Sequence, residues 1–354
     1  ADLKVCKDNS YNRDSYVDWH YANGATLLAL LQLSKTTGES IYSEFVDEWA
    51  EFVLQHYSYF MMEYNDWHVF RGPFHRIFRS SMLDDAGAPS LPLLQLSLNK
   101  QTTIYFDIID PLIDYVTNEQ VRLDDGTFCR PEPVNMTVWA DDLFMSVPFL
   151  LRVAELKNRP DLYSDCVRQA KNSYKYLFDP VTQLCYHGWY DTKHENSIAH
   201  WGRANGWMIW ATSELLLHLP RSHAEFSDIS SIFRKHINGL VKYQDDSGMW
   251  HQIINHPLSY EETSCTAMFV LAIARGVNNG WLEKHYAQIA IQGWNAIEKN
   301  VSRDGTVHNI CRGTGIGDTF EFYYNRETFD HDPRGLGAVI VAGIEVQSLL
   351  NSMR

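Results

Sequence analysis

The sequence of 354 residues predicts an all-α protein in which six helical hairpins close into an (α/α)6 barrel. Three observations lead to this prediction. A short turn recurs about every sixty residues, an apolar segment with helical spacing follows each turn, and segments with one polar face lie between the apolar ones. Repeats of this length are typical of solenoids and closed rings, because each hairpin can bury its apolar face only against its neighbours.

The recurring turn places a glycine close to Asp or His. The four glycines are Gly126 in LDDGTF, Gly188 in CYHGWY, Gly248 in DDSGMW and Gly305 in SRDGTV, spaced by 62, 60 and 57 residues. Glycine lets the backbone bend tightly without a clash from Cβ. We therefore expect a turn at each of the four positions, with NDWHVFRG (65–72) as an earlier and less regular copy.

Six segments are apolar on most faces and rich in small residues, which predicts an inner ring of buried helices. They are residues 21–33, 86–98, 139–156, 204–219, 264–276 and 335–350. Helical segments with a polar face alternate with them, such as residues 40–57 and 159–178, and are expected to form six outer helices. An open solenoid is the alternative arrangement. No long Pro/Ser-rich linker divides the chain, so residues 1–354 are expected to form one domain.

The charge and hydropathy of the chain argue against two classes of partner. The formal net charge is −14 and Lys and Arg form no runs, whereas a nucleic-acid-binding protein needs a basic face. No apolar run reaches the roughly 18–20 residues that a membrane span needs. No signal peptide is visible, so we expect a soluble protein of the periplasm or cytoplasm. The sequence determines neither the compartment nor the oligomeric state.

Several common sites are not supported by the sequence. The six cysteines are widely spaced without a C-x-x-C pair, which indicates core thiols rather than a zinc site or a disulfide framework. The histidines of residues 187–200 lack the i, i+4 spacing of a helical zinc pair. The glycine-rich RGTGIGD (312–318) lacks the G-K-[ST] ending of a mononucleotide site, and no G-x-S-x-G elbow occurs. We expect neither a metal nor an organic cofactor.

Two pairs of adjacent carboxylates precede or begin neighbouring apolar segments. WADDLFM contains Asp141 and Asp142, and MLDDAG contains Asp84 and Asp85. In a closed ring the loops that enter the inner helices share one end, so both pairs are expected to lie across a single cleft. Paired carboxylates in different environments can divide acid and base roles. The alternative is that these residues only cap their helices.

The stretch HWGRANGW, with the preceding HGWYD, supplies groups that suit an acidic sugar. Trp201 and Trp207 offer flat apolar faces for a sugar ring. Arg203 offers a planar fork for a carboxylate, and His187 offers a hydrogen-bond donor. The alternative is that the two tryptophans simply pack between helices.

These motifs resemble glycoside hydrolase family 105, the unsaturated rhamnogalacturonyl hydrolases, which are related to the unsaturated glucuronyl hydrolases of family 88. The resemblance is carried, in order along nearly the whole chain, by NGATLLALLQL, TVWADDLFMSVPFL, HGWYD, HWGRANGW, DDSGMWHQ and FDHDPRGLGAVIVAGIE. It implies an (α/α)6 barrel without a metal or organic cofactor. It also implies removal of a terminal uronic acid with a C4=C5 double bond. An Asp protonates C4, water adds at C5, the hemiketal opens, and the aglycone leaves.

The resemblance also implies roles for particular residues. Asp141 matches the acid and base of the family, and Asp84 or Asp85, with Asp84 favoured, matches its second aspartate. The residues that match substrate-contacting positions are Tyr21, Met145, His187, Trp201, Arg203 and Trp207. Where some members have a His-Lys pair, this chain has Cys129 and Arg130, so Arg130 is expected to supply the cation toward the substrate.

The implied chemistry requires an unusual acid. An enol ether is protonated slowly at neutral pH, so Asp141, near a second carboxylate and aromatic walls, is expected to have a raised pKa. The predicted function is release of unsaturated uronic acid from lyase-generated oligosaccharides, of the rhamnogalacturonan type or another rhamnose-uronate glycan. A polysaccharide lyase or an ordinary inverting glycosidase on the same barrel is one alternative. A non-catalytic carbohydrate-binding helical-repeat protein is an alternative of another class.

Overall fold

The computed structural model describes residues 17–353, and most of that length is helical. The helices are α1 (Tyr21–Thr37), α2 (Ser40–Asn65), α3 (His75–Arg79), α4 (Leu83–Ala86), α5 (Leu91–Lys100), α6 (Phe106–Asp114), α7 (Asp142–Leu156), α8 (Asp161–Leu177), α9 (Gly202–His218), α10 (Phe226–Leu240), α11 (Thr263–Asn278), α12 (Tyr286–Lys299), α13 (Phe320–Tyr324) and α14 (Pro333–Ser352). Short 3-10 turns occupy Ala88–Ser90 and Val241–Tyr243, and a π-helical turn occupies Tyr115–Glu119. The strands are β1 (Thr137–Trp139), β2 (Gly188–Tyr190), β3 (Glu195–Asn196), β4 (Ile310–Cys311) and β5 (Thr328–Phe329).

The inner ring consists of α1, α5, α7, α9, α11 and α14. Each of these helices packs against the next in this order, and α14 packs against α1, so the ring is closed. Every residue of α9 from Gly202 to Leu216 is buried, and so is every residue of α7 from Asp142 to Ala154. Helices buried on all sides need neighbours on all sides. The prediction of a closed barrel is confirmed, and the open solenoid is excluded.

Five outer helices, α2, α6, α8, α10 and α12, surround the ring within the described part of the chain. Four of them, α2, α8, α10 and α12, pack against the inner helix that precedes them. Their sequences explain the packing, because apolar residues recur on one face. In α10 these are Ile229, Phe233, Ile237 and Leu240, all buried. The sixth outer helix that the sequence predicts has no counterpart in residues 17–353.

Three of the four predicted glycine turns are present. Gly126, Gly248 and Gly305 have positive φ angles of 83°, 95° and 87°, which glycine adopts without strain. The prediction is wrong for Gly188, which is the first residue of β2 and has a neighbour too close for a Cβ atom. In that hairpin the left-handed residue is Gln183, with φ of 61°.

The six inner helices begin at one end of the barrel, because each outer helix returns the chain to the same side. The segments that lead into the inner helices therefore meet in one mouth. Two small antiparallel sheets lie there, with strand orders β1-β2-β3 and β4-β5. In the first sheet Trp139 pairs with Gly188, which joins the entry of α7 to the segment before α9.

The opposite end of the barrel is tied together by a buried chain of charges. Glu214 of α9 lies 3.5 Å from Arg152 of α7 and 2.8 Å from Arg275 of α11. Arg275 also pairs with Glu345 of α14 at 2.7 Å, and Arg152 donates to Gln95 of α5 at 2.9 Å. The network joins five of the six inner helices. Burial alone would raise the pKa of Glu214, but the two arginines beside it lower that pKa to about 2.

Two further expectations from the sequence concern membranes and thiols. By length and composition α14 could cross a membrane, although it contains no uninterrupted apolar run of that length. In the structure α14 belongs to the inner ring and packs against α1 and α11. The five cysteines within residues 17–353 are buried free thiols, as expected, and Cys6 lies outside the described residues.

We expect Glu214→Gln to lower the free energy of unfolding by about 3 kcal/mol, because two buried arginines lose their charged partner. The folded state depresses this pKa, so the stabilisation is present above the ordinary pKa of Glu and is lost as the pH falls towards about 2. Denaturant unfolding at pH 7 should therefore show a larger difference from wild type than unfolding at pH 3.

The matched control is Asp47→Asn, which removes an exposed ion pair with Lys100. Exposed pairs contribute little, so its unfolding curve should stay close to that of the wild type. Equal losses in the two variants would contradict a structural role for the buried network.

Candidate active site

Asp141 precedes α7 and faces His187 across the mouth. Its side chain does not cap the helix. Its Oδ2 atom lies 3.4 Å from Nε2 of His187 and accepts no normal hydrogen bond from the described residues. The backbone sets this geometry, because Trp139 pairs with Gly188 and the Ala140 N–H donates to the His187 carbonyl at 3.1 Å. The carboxylate of Asp141 is therefore available for chemistry, and the capping alternative does not hold for it.

His187 is completely buried beneath the mouth. Its ring lies 4.5 Å from the ring of Trp201 and 5.4 Å from that of Trp139. Its Nδ1 atom lies 3.0 Å from the hydroxyl of Tyr323. Burial lowers the pKa of His187 more than Asp141 raises it, so the ring is neutral at physiological pH. The substrate contact of His187 stays a prediction; in the structure its ring has no exposed surface and faces Asp141.

Arg130 bridges two carboxylates at the mouth. Its guanidinium donates to Asp84 at 2.9 Å and to Asp142 at 2.6 Å, and it lies 4.1 Å above the ring of Trp139. Arg130 is buried, whereas the side chain of Asp84 is 23% exposed. The role of Arg130 as a cation for the substrate stays a prediction; in the structure Asp84 and Asp142 occupy its guanidinium.

The neighbouring acids Asp84 and Asp85 have different surroundings. Asp85 is completely buried and accepts hydrogen bonds from Arg79 at 2.8 and 2.5 Å and from the Ser81 hydroxyl at 3.1 Å. The backbone carbonyl of Asp85 also accepts from the Trp19 indole at 2.7 Å. These contacts fix the segment around α4 and give Asp85 a structural position. Of the two candidates, Asp84 is the one at the mouth.

The three carboxyl groups at the mouth differ in pKa. Burial raises the pKa of Asp84 despite the adjacent arginine, and it raises the pKa of Asp142 to about 6. Burial would also raise the pKa of Asp141, but the donor His187 and two nearby arginines outweigh burial and lower it. The prediction of a raised pKa for Asp141 is therefore wrong in this structure. The sequence showed the neighbouring acids, whereas the opposing groups come from distant segments.

Arg203 lies in the first turn of α9 and is buried. Its guanidinium stacks on the ring of Trp201 at 4.6 Å. It donates to the carbonyls of Cys311 at 2.5 Å and Arg312 at 2.7 Å and to the Ser264 hydroxyl at 3.3 Å. Among the described residues no carboxylate forms an ion pair with it. Its direct contacts are therefore all neutral, and Glu262, whose carboxylate accepts from the same Ser264 hydroxyl, acts on its charge from farther away. A guanidinium without an ion pair suits an anionic ligand.

The glycine-rich segment 312–318 covers part of the mouth. The N–H of Gly317 donates to the Tyr323 hydroxyl at 3.0 Å. Ile316 packs on Gly188, where a Cβ atom would come within 2.2 Å of the Ile316 side chain. This contact explains why glycine follows His187 in the sequence, and it places segment 312–318 on the start of β2, directly after the histidine.

Tyr21 and Arg334 join the first and last inner helices at the mouth. The Nε of Arg334 donates to the Tyr21 hydroxyl at 3.3 Å, and another nitrogen of its guanidinium pairs with Asp332 at 2.9 Å. The half-buried ring of Tyr21 meets Trp207 edge-on at 6.1 Å. Burial raises the pKa of Tyr21, so its phenol is protonated. The structure thus brings Tyr21 to the mouth, where the sequence predicted a substrate contact.

Three other predicted contact residues lie deeper than expected. Trp201, Trp207 and Met145 are each 1% exposed. Trp207 lies 4.6 Å from the ring of Phe144 and 5.8 Å from that of Trp210. These side chains form the wall beneath the mouth, because the inner helices pack on all their sides. The substrate contacts of these residues stay a prediction; in the structure both tryptophans pack against other rings.

Two residues at the mouth were not predicted from the sequence, whereas Asp142 lies there beside Asp141, as the carboxylate pair predicted. Arg334 stands in the motif FDHDPRGLG, where an arginine after a helix-capping aspartate was the available signal. Tyr323 had no signal, because it is 136 residues from its partner His187 and belongs to no motif.

A large apolar cavity bounded by described residues lies elsewhere. It has a volume of about 770 Å³ and lies on the outer wall between α1, α12 and α14. Its lining is mainly apolar, with Leu27, Leu30, Trp294 and Leu336 as examples. It contains none of the mouth residues. Acid-base chemistry needs titratable groups close together, so the mouth is the candidate active site.

A closed (α/α)6 barrel with several carboxyl groups at its mouth is compatible with a glycoside hydrolase on an all-helical scaffold. The chain belongs to Glycosyl Hydrolase Family 88, whose sequence profile matches residues 4–350. The resemblance inferred from the motifs is therefore confirmed, and the protein is an enzyme.

Individual relatives agree with this assignment. The unsaturated rhamnogalacturonyl hydrolase YesR of Bacillus subtilis (strain 168) is 33% identical over 241 residues, which cover 64% of this chain and 67% of the relative. The unsaturated 3S-rhamnoglycuronyl hydrolase of Alteromonas sp. (strain LOR) is 29% identical over 214 residues, which cover 59% of this chain and only 50% of the relative. A crystal structure described as a possible member of the GH105 family, from Salmonella enterica subsp. enterica serovar Paratyphi A, superposes with a TM-score of 0.81. It is 25% identical and the match covers 95% of this chain and 84% of that one.

We expect Asp85→Asn and Asp84→Asn to differ in stability. Asp85→Asn should lower the free energy of unfolding by about 2 kcal/mol, because a buried carboxylate loses its charge-assisted hydrogen bonds with Arg79. Asp84→Asn should change it by less than about 1 kcal/mol, because a raised pKa means that the fold already disfavours this charge at neutral pH. Urea unfolding of the pair measures the difference, and the opposite order would overturn the placement of Asp84 at the mouth.

Proposed function

We propose that this glycoside hydrolase removes the terminal Δ4,5-unsaturated uronic acid from oligosaccharides produced by polysaccharide lyases. The observation that carries the proposal is the arrangement of Asp141 and Arg203 around two rings at the mouth. Asp141 lies 3.4 Å from His187, the His187 ring lies 4.5 Å from that of Trp201, and Arg203 stacks on Trp201 at 4.6 Å. Asp141 has a 13% exposed side chain and a carboxylate oxygen without a hydrogen bond. Arg203 hydrogen-bonds only neutral groups among the described residues. A proton donor beside a carboxylate-binding cation is what an unsaturated uronic acid requires.

The proposed reaction is a hydration followed by ring opening. Asp141 gives a proton to C4 of the enol ether, and C5 receives the oxygen of a water molecule whose proton returns to the carboxylate. The hemiketal at C5 then loses its bond to the ring oxygen, which leaves a ketone at C5 and a hydroxyl at C1. The hemiacetal at C1 releases the aglycone. The net change is the addition of a water molecule.

The charge of the substrate affects the pKa of Asp141 in this scheme. The pKa of Asp141 is lowered in the protein alone, partly by Arg203, whereas the reaction needs a protonated carboxyl. A uronate carboxylate beside Arg203 cancels part of the positive field that stabilises the Asp141 carboxylate. The pKa of Asp141 then rises, because an opposing charge has been neutralised. The bound substrate therefore favours the protonated acid that its own double bond requires.

We infer that rhamnose is the sugar next to the uronic acid. Two relatives are an unsaturated rhamnogalacturonyl hydrolase and an unsaturated 3S-rhamnoglycuronyl hydrolase, and both names join a uronic acid to rhamnose. The net charge of −14 fits an anionic substrate only if local cations such as Arg203 hold it.

Ultraviolet absorbance tests the reaction directly. The protein is added to separate lyase digests of rhamnogalacturonan, ulvan and a glycosaminoglycan. We expect the absorbance of a rhamnose-containing digest to fall, because hydration consumes the C4=C5 bond. A polysaccharide lyase would instead raise the absorbance of intact polysaccharide. Unchanged absorbance in every digest, with a folded protein, would refute the proposed function.

Asp141→Asn should lower kcat on the responding digest by about 10³-fold, because an amide cannot deliver the proton. Affinity for the oligosaccharide, measured by calorimetry, should stay nearly unchanged. Asp161→Asn, at the exposed start of α8, is the control and should retain wild-type activity. Wild-type turnover in Asp141→Asn would contradict the assignment of Asp141 as the acid. A binding protein without chemistry would keep its ligand in both variants and change no absorbance.

The pH dependence should differ between kcat/KM and kcat. The pH profile of kcat/KM reports the free enzyme, in which the pKa of Asp141 is lowered. The pH profile of kcat reports the complex with substrate. We therefore expect activity to decline with rising pH at a lower pH in kcat/KM than in kcat. The methyl ester of the same uronic acid carries no charge on its carboxyl and should show no such separation. Coincident profiles for the acid substrate would contradict the role given to its charge.

A further inference from the structure

A chain of polar contacts runs from the covering segment 312–318 to Asp141. The N–H of Gly317 lies 3.0 Å from the Tyr323 hydroxyl, and that hydroxyl lies 3.0 Å from Nδ1 of His187. On the other side of the ring, Nε2 of His187 lies 3.4 Å from Oδ2 of Asp141. Tyr323 and His187 have no exposed surface, so bulk solvent does not compete for these contacts.

The direction of each hydrogen bond in this series of contacts follows from which atoms can donate and which can accept. A backbone N–H can only donate, so the Tyr323 oxygen accepts from Gly317. Burial raises the pKa of Tyr323, and its phenol keeps a proton. Among the described residues the remaining neighbour of that hydroxyl is Nδ1 of His187. The phenol therefore donates to Nδ1, and the neutral ring carries its proton on Nε2.

The opposite tautomer would work against the acid. With the proton on Nδ1, the Nε2 lone pair would face the carboxylate oxygen of Asp141. Once Asp141 is protonated, that lone pair would accept the proton which C4 of the substrate needs. With the proton on Nε2, His187 is a donor only and cannot act as a competing base.

We propose that Tyr323 is a positioning residue that holds His187 in the Nε2–H tautomer and so keeps its donor directed at Asp141. The covering segment sets the position of the hydroxyl. Gly317 can lie this close only because it has no Cβ, which would come within 2.1 Å of Phe322. Arg326 donates to the carbonyl of Gly313 at the start of the same segment. The kinetic consequence rests on the proposed function, whereas the tautomer of His187 does not.

Nitrogen-15 NMR of the histidine-labelled full chain tests the tautomer without any substrate. The His187 signals are identified by their loss in His187→Gln. At neutral pH we expect a protonated Nε2 and an unprotonated Nδ1. In Tyr323→Phe, which keeps the buried ring, a population with protonated Nδ1 should appear. A protonated Nδ1 in the wild type, or an unchanged tautomer in Tyr323→Phe, would overturn the proposal.

Kinetics on the responding digest tests the consequence. Tyr323→Phe should lower kcat by about 10- to 100-fold with little change in KM, because proton donation by Asp141 is impaired but the acid itself is retained. Loss of the Nε2–H donor should also raise the pKa of Asp141, and the decline of kcat/KM should move to higher pH. The other charged groups that act on Asp141 or His187, namely Arg130, Arg203, Asp84 and Asp142, are unchanged in this variant. A merely structural role would lower stability without moving this profile.

Tyr324→Phe is the matched control. The Tyr324 hydroxyl lies 2.8 Å from Nδ1 of His256, so the control removes a tyrosine–histidine contact next in sequence and outside the mouth. It should leave kcat and the pH profile at wild-type values. Equal effects of the two substitutions would overturn the proposal. If no digest reacts with the wild type, the proposed function fails, and the NMR experiment still decides the tautomer.

Discussion

The inner helices are apolar on nearly all sides, and this constraint determines the rest of the architecture. A helix of this kind must be buried on all sides, and a closed ring with an outer layer achieves this for repeated hairpins of equal length. Closure places α14 against α1. Tyr21 and Arg334, which are 313 residues apart in the chain, thereby become hydrogen-bond partners. The mouth is therefore a product of the whole ring.

The two ends of the barrel hold their buried charges in different ways. At one end Arg275 has two carboxylate partners, Glu214 and Glu345, which favours stability. At the mouth Arg203 has only neutral partners among the described residues, and Asp141 has an oxygen without a hydrogen bond. Buried polar groups without a partner lower the stability of a fold. They are retained where a bound ligand supplies the missing partner. The barrel thus separates the region that stabilises it from the region that reacts.

The fold could be predicted because helical periodicity and the hairpin repeat are properties of neighbouring residues. The same reasoning placed Asp141 and Asp84 in one mouth. It failed at Gly188, because a glycine in a turn and a glycine under a close contact look alike in sequence. It missed Tyr323 and assigned the wrong pKa direction to Asp141, because both depend on side chains brought together by ring closure. The sequence showed which reactive side chains lie close together along the chain. It did not show which distant side chains surround each of them in the fold.

The common orientation of the inner helices has an electrostatic consequence. Each helix N-terminus carries a partial positive charge of about one half of an elementary charge. Six of them converge on the mouth, and the helix-capping carboxylates Glu262 and Asp332 offset only part of this field. In a protein with a net charge of −14, the helix N-termini therefore add positive potential at the end where the candidate site lies. A count of charged side chains leaves out these helix macrodipoles. They help to attract an acidic sugar to the mouth of a barrel that is acidic elsewhere.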